Sequence, residues 1–596
     1  MQRPEPSPNV LIRCLLTFLL AGQAWVLFSQ DSPWREIEGR VLDAATREPV
    51  PYANVYNKTL QKGTITNPDG YFRLMIGSAH DSIAVIFLGY TIQMIPLEAG
   101  KSSYTVLLEE SQQLLREIVV RPKDDSYLYK LLAQCRDNPG DKGQSKVYYM
   151  LKTVAGQKQI ELVEGYYNAT VSGYELTDLK LKEGRLALQP FDDRLFGSFE
   201  SSRAITMMKW THADAFFPTS PLDLTRADLK KGFELQLDKK YLDPQQDSVY
   251  VISFMPRDTS GLYFSGSIWI NTSKDYVAKI LLTSPHSLRH PFRPAFHTDT
   301  ISNVSFKITK TFTEHDGKVL FNHIDFTYGV RYRSRVGEAF EKTYTVETQA
   351  VLYAYDYSHT FDILGYVDHL QAYNDYRVIN AMPYNSFFWS FNDEYGLSED
   401  RRANDAFFSD PSAITNKTLF NANRIFRKGL FEAPFIQWSE DRIQLKPMKP
   451  DSVSGNGYTE PVSPDSFQLV VRLWADINTY RDSTHILTAA ILDPYKSYDY
   501  LDINPAAQCF INLYFDLCET ERKKLDEELK ASIPSRYSWS ALYAASEVRL
   551  NKLSAQFFKE TDHGRHEANM RKWNTFIVEQ LGIDNIALFK PFGGKE

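Results

Sequence analysis

The sequence predicts a multidomain, mainly β protein with an α-rich C-terminal domain. At 596 residues the chain is too long for one hydrophobic core. Its aromatic content is 14%, with 35 Tyr and 37 Phe, and such side chains favour pleated, half-buried surfaces. Apolar and polar residues alternate through much of the first 350 positions, whereas apolar residues recur at helical spacing after position 505. We therefore expect three or more domains.

Positions 1–30 have the outline of a signal peptide. Arg3 and Arg13 precede an apolar run over 14–28, and polar residues follow from Ser29. The run is shorter than the roughly 20 residues that a membrane-spanning helix needs. We expect export with cleavage near Ser29 or Gln30, which places the protein in the periplasm or at the periphery of the outer membrane; the alternative is an uncleaved membrane anchor.

Residues 31–121 read as short strands separated by turns. The clearest turn is Asp69-Gly70, because this pair tolerates the positive φ angles of a tight hairpin and both flanks alternate apolar with polar residues. A compact antiparallel β-sandwich is expected here.

The same segment resembles the carboxypeptidase regulatory-like domain. The matching positions occur in family order and are Gly39, Arg40, Val41, Leu42, Asp43, Thr46, Pro49, Pro51, Ala53, Asn54, Val55, Gly63, Thr64, Thr66, Asp69, Gly70, Phe72 and Leu74. This domain stands at the start of many exported proteins of the Bacteroidota, including TonB-dependent receptors. The resemblance implies a non-catalytic sandwich, and it implies no carboxypeptidase activity.

Residues 122–350 are expected to form an antiparallel β domain after a short helix at 126–137. Long alternating segments predict one extended antiparallel sheet or half-barrel, and Asp316-Gly317 predicts a hairpin turn. The order of the segments 250–254 and 264–280 is similar to the curved half-barrels of periplasmic lipoprotein carriers. That resemblance implies a concave apolar face.

The composition of the chain after residue 350 divides it into three regions. Residues 351–445 are aromatic-rich with weak periodicity, which indicates loops and short helices that cover the sheet. Residues 446–465 have the Pro, Gly and small polar residues of a linker. Residues 466–596 form the α-rich domain, with an amphipathic helix at about 506–530 and two further helices after it.

Part of this last domain resembles a bacterial family described as secreted zinc peptidases. The resemblance rests on the run 514–519 with Arg522, and on Glu560-Thr561-Asp562-His563-Gly564 followed by Trp573. In that family an HExxH helix places two imidazoles one turn apart beside a carboxylate. The fold implied is a zincin.

The zinc ligands of that family are missing from this sequence. The positions of its two His and one Glu are Phe510, Tyr514 and Ile511, which cannot bind zinc. The resemblance therefore implies a degenerate zincin without metal.

Two other groups in this domain could carry chemistry. His563, His566 and Glu567 could form part of a metal site, but the sequence favours their capping and solvating the start of the last helix. Cys509 and Cys518 are expected to be small buried core residues rather than ligands.

Other candidate groups in the chain do not form a site by sequence. A Pro-interrupted loop carries three histidines that we interpret as structural or surface residues, namely His286, His290 and His297. Some carboxylates could be paired in space, but nothing local perturbs them: Asp192, Asp193, Glu200, Asp393 and Glu394. With a net charge of -7 the chain has no basic excess to bind nucleic acid.

We therefore predict no catalytic, cofactor-binding or metal-binding residue. The sequence favours a non-catalytic binding or scaffolding protein of the cell envelope of a Gram-negative, Bacteroidota-type bacterium. Its partner would be an envelope protein or an apolar or glycan ligand, with peripheral association at the outer membrane. The alternative is a secreted metal-dependent hydrolase or peptidase with a non-standard site near His563 and His566.

Overall fold

The structure is a computed structural model. It describes residues 35–592 except for 58, 60–61, 78–80, 112–125, 191–197, 199–200, 209–215, 244–245, 295–298, 337–339, 365–378, 380–381, 393–397, 416–435, 440, 445–466, 481–482, 493–497, 500–503 and 533–535. The predicted signal peptide and linker lie outside the described residues. The chain forms two compact units, Met1–Glu109 and Glu110–Glu596.

The first unit is a β-sandwich of two sheets around one core. One sheet has the order β4-β1-β7, and its strands are β1 (Arg35–Asp43), β4 (Tyr71–Ile76) and β7 (Ser103–Leu108). The other has the order β3-β2-β5-β6, and its strands are β2 (Asn54–Asn57), β3 (Lys62–Ile65), β5 (Ser82–Ile86) and β6 (Gln93–Pro96). The predicted sandwich is confirmed, but it is not wholly antiparallel, since β7 runs parallel to β1.

The predicted hairpin at Asp69-Gly70 is wrong. A tight turn does form, with Gly70 at φ +79° and the Asn67 side chain accepting hydrogen bonds from the backbone N–H groups of Asp69 and Tyr71. However, β3 and β4 on either side belong to different sheets. The dipeptide determines only the local backbone, whereas the strands pair with β2 and β1.

The second unit is built on an 11-stranded sheet with the order β11-β12-β13-β14-β15-β16-β17-β8-β9-β10-β18. Its strands are β8 (Lys142–Ala155), β9 (Lys158–Ser172), β10 (Glu175–Leu188), β11 (Phe233–Leu242), β12 (Ser248–Pro256), β13 (Ser265–Asn271), β14 (Tyr276–Ser287), β15 (Thr300–His315), β16 (Lys318–Val336), β17 (Phe340–Asp356) and β18 (Ile414–Thr415). The predicted hairpin at Asp316-Gly317 is confirmed, with φ of +50° and +74° between β15 and β16.

Three helices pack against one face of this sheet: α1 (Ser126–Asp137), α2 (Ser201–Met207) and α3 (Arg226–Gly232). The predicted helix at 126–137 is confirmed, and its buried residues include Leu128, Leu132 and Cys135. The opposite, outer face is covered at β9 and β10 by α4 (Ser386–Phe391) and α5 (Ser398–Phe408). These are short helices of the kind predicted for 351–445.

The C-terminal region has its own sheet and its own core. The sheet order is β19-β22-β21, with β19 (Ile436–Gln437), β21 (Val471–Tyr480) and β22 (Ser483–Leu492), and β20 (Phe467–Gln468) pairs with β23 (Tyr498–Asp499). The helices are α6 (Pro505–Ala531), α7 (Arg536–Thr561), α8 (Glu567–Leu581) and α9 (Asn585–Phe589). The predicted helical C-terminal region is confirmed.

The sheet and the C-terminal helices belong to one compact unit. The predicted boundaries at residues 350, 445 and 465 therefore separate regions of that unit, and β17 continues past the first of them to Asp356. In the part of the chain that is described, no helix is both long enough and apolar enough to cross a membrane.

Candidate functional site in the C-terminal helices

Helix α6 is the centre of the C-terminal region. Asn504 caps it by accepting a hydrogen bond from the N–H of Ala507, and Pro505 occupies its first position, where no N–H is needed. Every residue from Ala507 to Glu519 is buried, because β22, α7, α8 and α9 all pack against this stretch. A helix surrounded on all sides explains why apolar residues occur around its whole circumference.

Phe510 and Tyr514 lie one turn apart on the side of α6 that faces the segment carrying His563. Phe510 is fully buried and stacks on Phe557 with ring centroids 5.3 Å apart, and its centroid is 6.3 Å from that of His563. The Tyr514 ring lies 4.6 Å from Phe558, and its hydroxyl is 3.2 Å from Ser554 Oγ. Aromatic rings thus fill the space beside these two positions, as expected from the sequence.

The loop that carries His563 approaches α6 closely. Asp562, His563 and Gly564 all have positive φ, at +45°, +53° and +87°. A Cβ on Gly564 would lie 2.9 Å from the Cβ of Phe510, which is closer than normal contact. The left-handed turn and the missing side chain together allow this approach.

His566 and Glu567 serve the start of α8. His566 is exposed, and its Nδ1 accepts a hydrogen bond from the N–H of Asn569 at 3.3 Å. Glu567 pairs with Arg571 at 2.7 Å. The predicted capping role is therefore confirmed for His566, whereas His563 lies in the turn before the helix and contacts Phe510. Over the described ranges, no group of three or more His, Cys, Asp or Glu side chains could hold a metal ion.

The three cysteines among the described residues, Cys135, Cys509 and Cys518, are buried and form no disulfide, as expected for core residues. Burial raises the pKa of Cys509 to about 12, and that of Cys135 to about 12 as well. Burial also raises the pKa of Cys518. All three thiols are therefore protonated at neutral pH, whereas a nucleophile or a metal ligand must be a thiolate.

Asp516 forms a buried polar centre that the sequence analysis did not predict. Its carboxylate accepts hydrogen bonds from Trp438 Nε1 at 2.7 Å, from Arg442 Nη1 at 2.8 and 2.9 Å, and from Asn585 Nδ2 at 2.6 Å. The signal that could have revealed this centre is an acidic residue on a turn of helix that is buried on every side. The group ties α6 to the segment before β20 and to α9, so its role is positional.

A second polar cluster was also missed, at the junction between β10 and β21. The bulge between Leu181 and Glu183 turns Lys182 toward Asp476, with which it forms an ion pair 2–3% exposed. Lys182 Nζ also donates to the carbonyls of Asp362 and Ile477, at 2.8 and 2.9 Å. The charges are too far apart in sequence for a local pattern to reveal the pair.

Glu183 is buried beside this ion pair. Burial, followed by the negative charge of Asp476, raises its pKa well above its ordinary value. Asn385 and Asn478 each donate to Asp476 Oδ2 at 2.6 Å. The raised pKa favours the protonated form of Glu183, which lies buried beside the ion pair of Lys182 and Asp476. The cluster joins the two halves of the unit.

A third cluster fixes α5 to the outer face of the sheet. Arg185 pairs with Glu164 at 2.6 Å and with Asp405 at 2.7 Å, and Asn404 donates to Glu164 at 3.1 Å. Burial alone would raise the pKa of Glu164, but Arg185 and the hydroxyl of Tyr148 hold it below its usual range. A buried and fully paired carboxylate of this kind stabilises a junction rather than performing acid–base chemistry.

The other candidate residues do not come together in the described structure. His286 lies exposed near the end of β14, and the ring of His290 stacks on Phe292 with centroids 5.9 Å apart. Burial lowers the pKa of His290. The remaining candidates lie outside the described residues, and these are Asp192, Asp193, Glu200, His297, Asp393 and Glu394.

An open groove of about 660 Å³ lies beside β8, β9 and the segment after β17. Its lining is rich in hydroxyl groups, and the residues that contribute polar side chains are Lys142, Gln144, Thr170, Ser172, Thr177, Tyr357, Ser358, His359 and Thr360. These groups can exchange hydrogen bonds with a polar ligand or with water.

Residues 37–120 match the CarboxypepD_reg-like domain family. The TonB-dependent receptor SusC of Bacteroides thetaiotaomicron is 38% identical over 114 residues, which are 19% of this chain and only 10% of the receptor. The resemblance inferred for the first unit is thereby confirmed, and the match leaves most of both proteins uncovered.

Some solved structures match part of this chain at low identity and low TM-score. A LolA superfamily protein from Nitrosomonas europaea is 15% identical and covers 39% of this chain and 93% of its own, with a TM-score of 0.16. A DUF1329 family protein from Desulfovibrio piger is 11% identical and covers 42% and 97%, with a TM-score of 0.18. At such TM-scores these likenesses carry no argument about function.

Proposed function

We propose that this chain is a non-catalytic binding or scaffolding protein of the cell envelope of a Gram-negative, Bacteroidota-type bacterium. In this proposal the C-terminal region is a zinc-peptidase-like fold that has lost its metal. The observation that carries the proposal is the stack of Phe510 and Tyr514 against Phe557, Phe558 and the His563 loop.

In this proposal, aromatic rings take the place of a metal site in the C-terminal core. A zinc site contributes folding energy through the metal, so removing its ligands normally destabilises the domain. Here two aromatic rings occupy the two helix positions, and burying each contributes roughly 1.5 to 3 kcal/mol. The C-terminal core can then be stable without any ion.

The envelope assignment is supported by the first unit. Residues 37–120 match the CarboxypepD_reg-like domain family, and part of the chain is similar to SusC, which is named as a TonB-dependent receptor. The apolar run at 14–28 supports export. A small sandwich with its own core is suited to docking, while the larger unit supplies the scaffold.

The first test removes the aromatic packing. Phe510→Ala should lower the free energy of unfolding by about 3 to 5 kcal/mol, because it empties a fully buried site. Tyr514→Phe is the matched control, since it removes only the hydroxyl bonded to Ser554 and should cost about 0.5 to 1.5 kcal/mol. Denaturant unfolding measures both.

The same preparations separate the proposal from the hydrolase alternative. Chelation should leave the melting temperature of the wild-type protein unchanged, and elemental analysis should find less than stoichiometric zinc. Peptidase assays on unfolded substrates should detect no turnover. Stoichiometric zinc that is lost on His563→Ala would overturn the proposal and favour a metal-dependent hydrolase with its site near His563 and His566.

A further inference from the structure

Three segments meet at one end of the large sheet, and we call them the β12–β15 rim: residues 216–219, 255–264 and 286–293. Backbone hydrogen bonds join them, from the N–H of Leu288 to the carbonyl of Gly261 at 3.2 Å and from the N–H of Thr219 to the carbonyl of Leu262 at 2.8 Å. Arg289 Nη1 also lies 3.4 Å from Thr219 Oγ1. The rim is therefore one continuous surface.

Each segment of the rim exposes one large apolar side chain. Phe216 is 42% exposed, Met255 is 61% exposed and Leu288 is 65% exposed. A single exposed apolar residue is ordinary on a soluble protein, but three on one rim form a feature of the kind that marks an interaction site.

The rim stands on a filled aromatic core. Phe217, next to Phe216, packs on Phe306 with centroids 5.5 Å apart, and Phe292 stacks on Tyr328 at 4.1 Å. These rings fill the core behind the segments 216–219 and 286–293. Met255 and Leu288 are the most exposed of the three apolar side chains.

The same end of the sheet is basic. Arg257 and Arg293 are exposed on the rim, and Arg331 and Arg333 are exposed on β16 where it pairs with the start of β15. Among the acids of this region, Glu234 lies 3.9 Å from Arg257, and Asp258 is on the rim itself. The surrounding elements carry further charged groups, among them Arg226, Asp228, Lys230, Lys231, Arg289, Asp299 and Lys342. Positive charge is in excess here, although the whole chain has a net charge of -7.

We propose that the β12–β15 rim docks on the surface of an anionic lipid bilayer. Arginines attract anionic headgroups, worth about 1 kcal/mol each near the surface. Met255, Leu288 and Phe216 would then enter the boundary between headgroups and acyl chains. A second copy of the chain is a poorer partner for this rim, because two basic surfaces repel each other.

This proposal rests on the envelope location proposed above but not on the loss of zinc. The test uses the exported, processed chain and sedimentation with vesicles of phosphatidylcholine, with or without phosphatidylglycerol. All variants keep the same N-terminus. Binding should require phosphatidylglycerol and should weaken as salt is added, because salt screens the arginines.

Substitutions on the rim should weaken vesicle binding selectively. Arg293→Gln and Arg331→Gln should each reduce it about fivefold, the equivalent of one surface charge. Met255→Ser with Leu288→Ser should reduce it roughly tenfold or more. The matched controls on α7 are Lys552→Gln and Val548→Ser, which lie in the C-terminal region and should bind as wild type.

Circular dichroism spectra and melting temperatures are the control that each variant is folded. Wild-type protein that fails to bind anionic vesicles would overturn the proposal, and so would rim variants that bind like the controls. Concentration-dependent self-association that disappears in the Met255 and Leu288 variant, without vesicle binding, would assign the rim to a second copy instead. None of these outcomes bears on zinc content, so the two proposals fail separately.

Discussion

Gly70 and Gly100 differ in their surroundings although both have left-handed backbone, with φ of +79° and +80°. A Cβ on Gly70 would lie 2.4 Å from the carbonyl oxygen of Val41, whereas a Cβ on Gly100 would meet nothing within 4 Å. The Val41 N–H also donates to the Gly70 carbonyl, so neither strand can move away without losing that bond. Substitutions at the two positions can therefore be compared to separate the cost of left-handed backbone from the cost of a steric contact with Val41.

Gly70→Ala should destabilise the first unit clearly more than Gly100→Ala. Each substitution places an L-residue in the left-handed region at a cost of about 1 to 2 kcal/mol. Only Gly70→Ala would also have to displace the β1 backbone, because its Cβ would contact the carbonyl oxygen of Val41. Chemical denaturation of the chain from residue 31 to 121 would measure the difference, and equal losses for the two variants would contradict the contact with Val41.

The same position shows how far local sequence can be interpreted. The Asp-Gly pair correctly predicts a tight turn at residue 70, as it does at Gly317, because positive φ is a property of the residue itself. It cannot predict whether the flanking strands pair with each other. At Gly317 they do, and at Gly70 they belong to separate sheets.

At the scale of elements, β10 depends on its bulge. The strand has one irregularity between Leu176 and Asp178 and a second between Leu181 and Glu183. The second brings Lys182 and Glu183 to the buried junction with β21. From Leu181 onward every residue of β10 is buried, because elements cover both faces. Sequence alternation predicts the strand, but the partner of Lys182 is Asp476, which only the tertiary fold identifies.

Glu183→Gln should make the free energy of unfolding less dependent on pH. Because the pKa of Glu183 is raised in the folded state, the folded protein binds the extra proton. Stability is therefore highest below the unfolded value near 4.3 and falls as pH rises toward the folded pKa. Gln reproduces the protonated form, so the variant should be at least as stable as wild type at neutral pH.

The substitution Lys182→Met should destabilise the protein at neutral pH, in contrast to Glu183→Gln. It removes the cation and leaves the Asp476 carboxylate buried, which should cost about 3 to 5 kcal/mol at neutral pH. Unfolding by denaturant over a range of pH measures both variants. If Glu183→Gln destabilises the protein as strongly as Lys182→Met at neutral pH, then Glu183 is ionised and the assignment of its proton is wrong.

At the scale of the whole molecule, the first unit should fold without the rest of the chain. Its core consists of its own residues, among them Ile37, Val41, Phe72 and Val106, and each is 0–1% exposed. The segment from 31 to 121 should unfold cooperatively as a monomer. Calorimetry of this segment would check it, and a broad transition or a molten state would show that the second unit is needed.

The large sheet shows what composition and alternation leave undetermined. Alternation correctly predicts one antiparallel sheet, because it reports which face of each strand is buried. The order of strands depends instead on contacts distant in sequence, and here β17 joins the two meanders by pairing with β8. The positions Phe510 and Tyr514 were identified through the resemblance to the zinc-peptidase family, and helical spacing predicts that they share one face of the helix.

The pairing of β8 with β17 has a consequence for the order in which the sheet can assemble. Leu151 lies beside Val163 of the following strand on one side, but on the other side it lies beside Ala350. A chain that emerges N-terminus first would present β8 with an unpaired edge until β17 has followed. Such an edge is a template for wrong strands, and contacts this distant form slowly. We therefore expect aggregation of the folding chain to be limited by how quickly β17 becomes available to pair with β8.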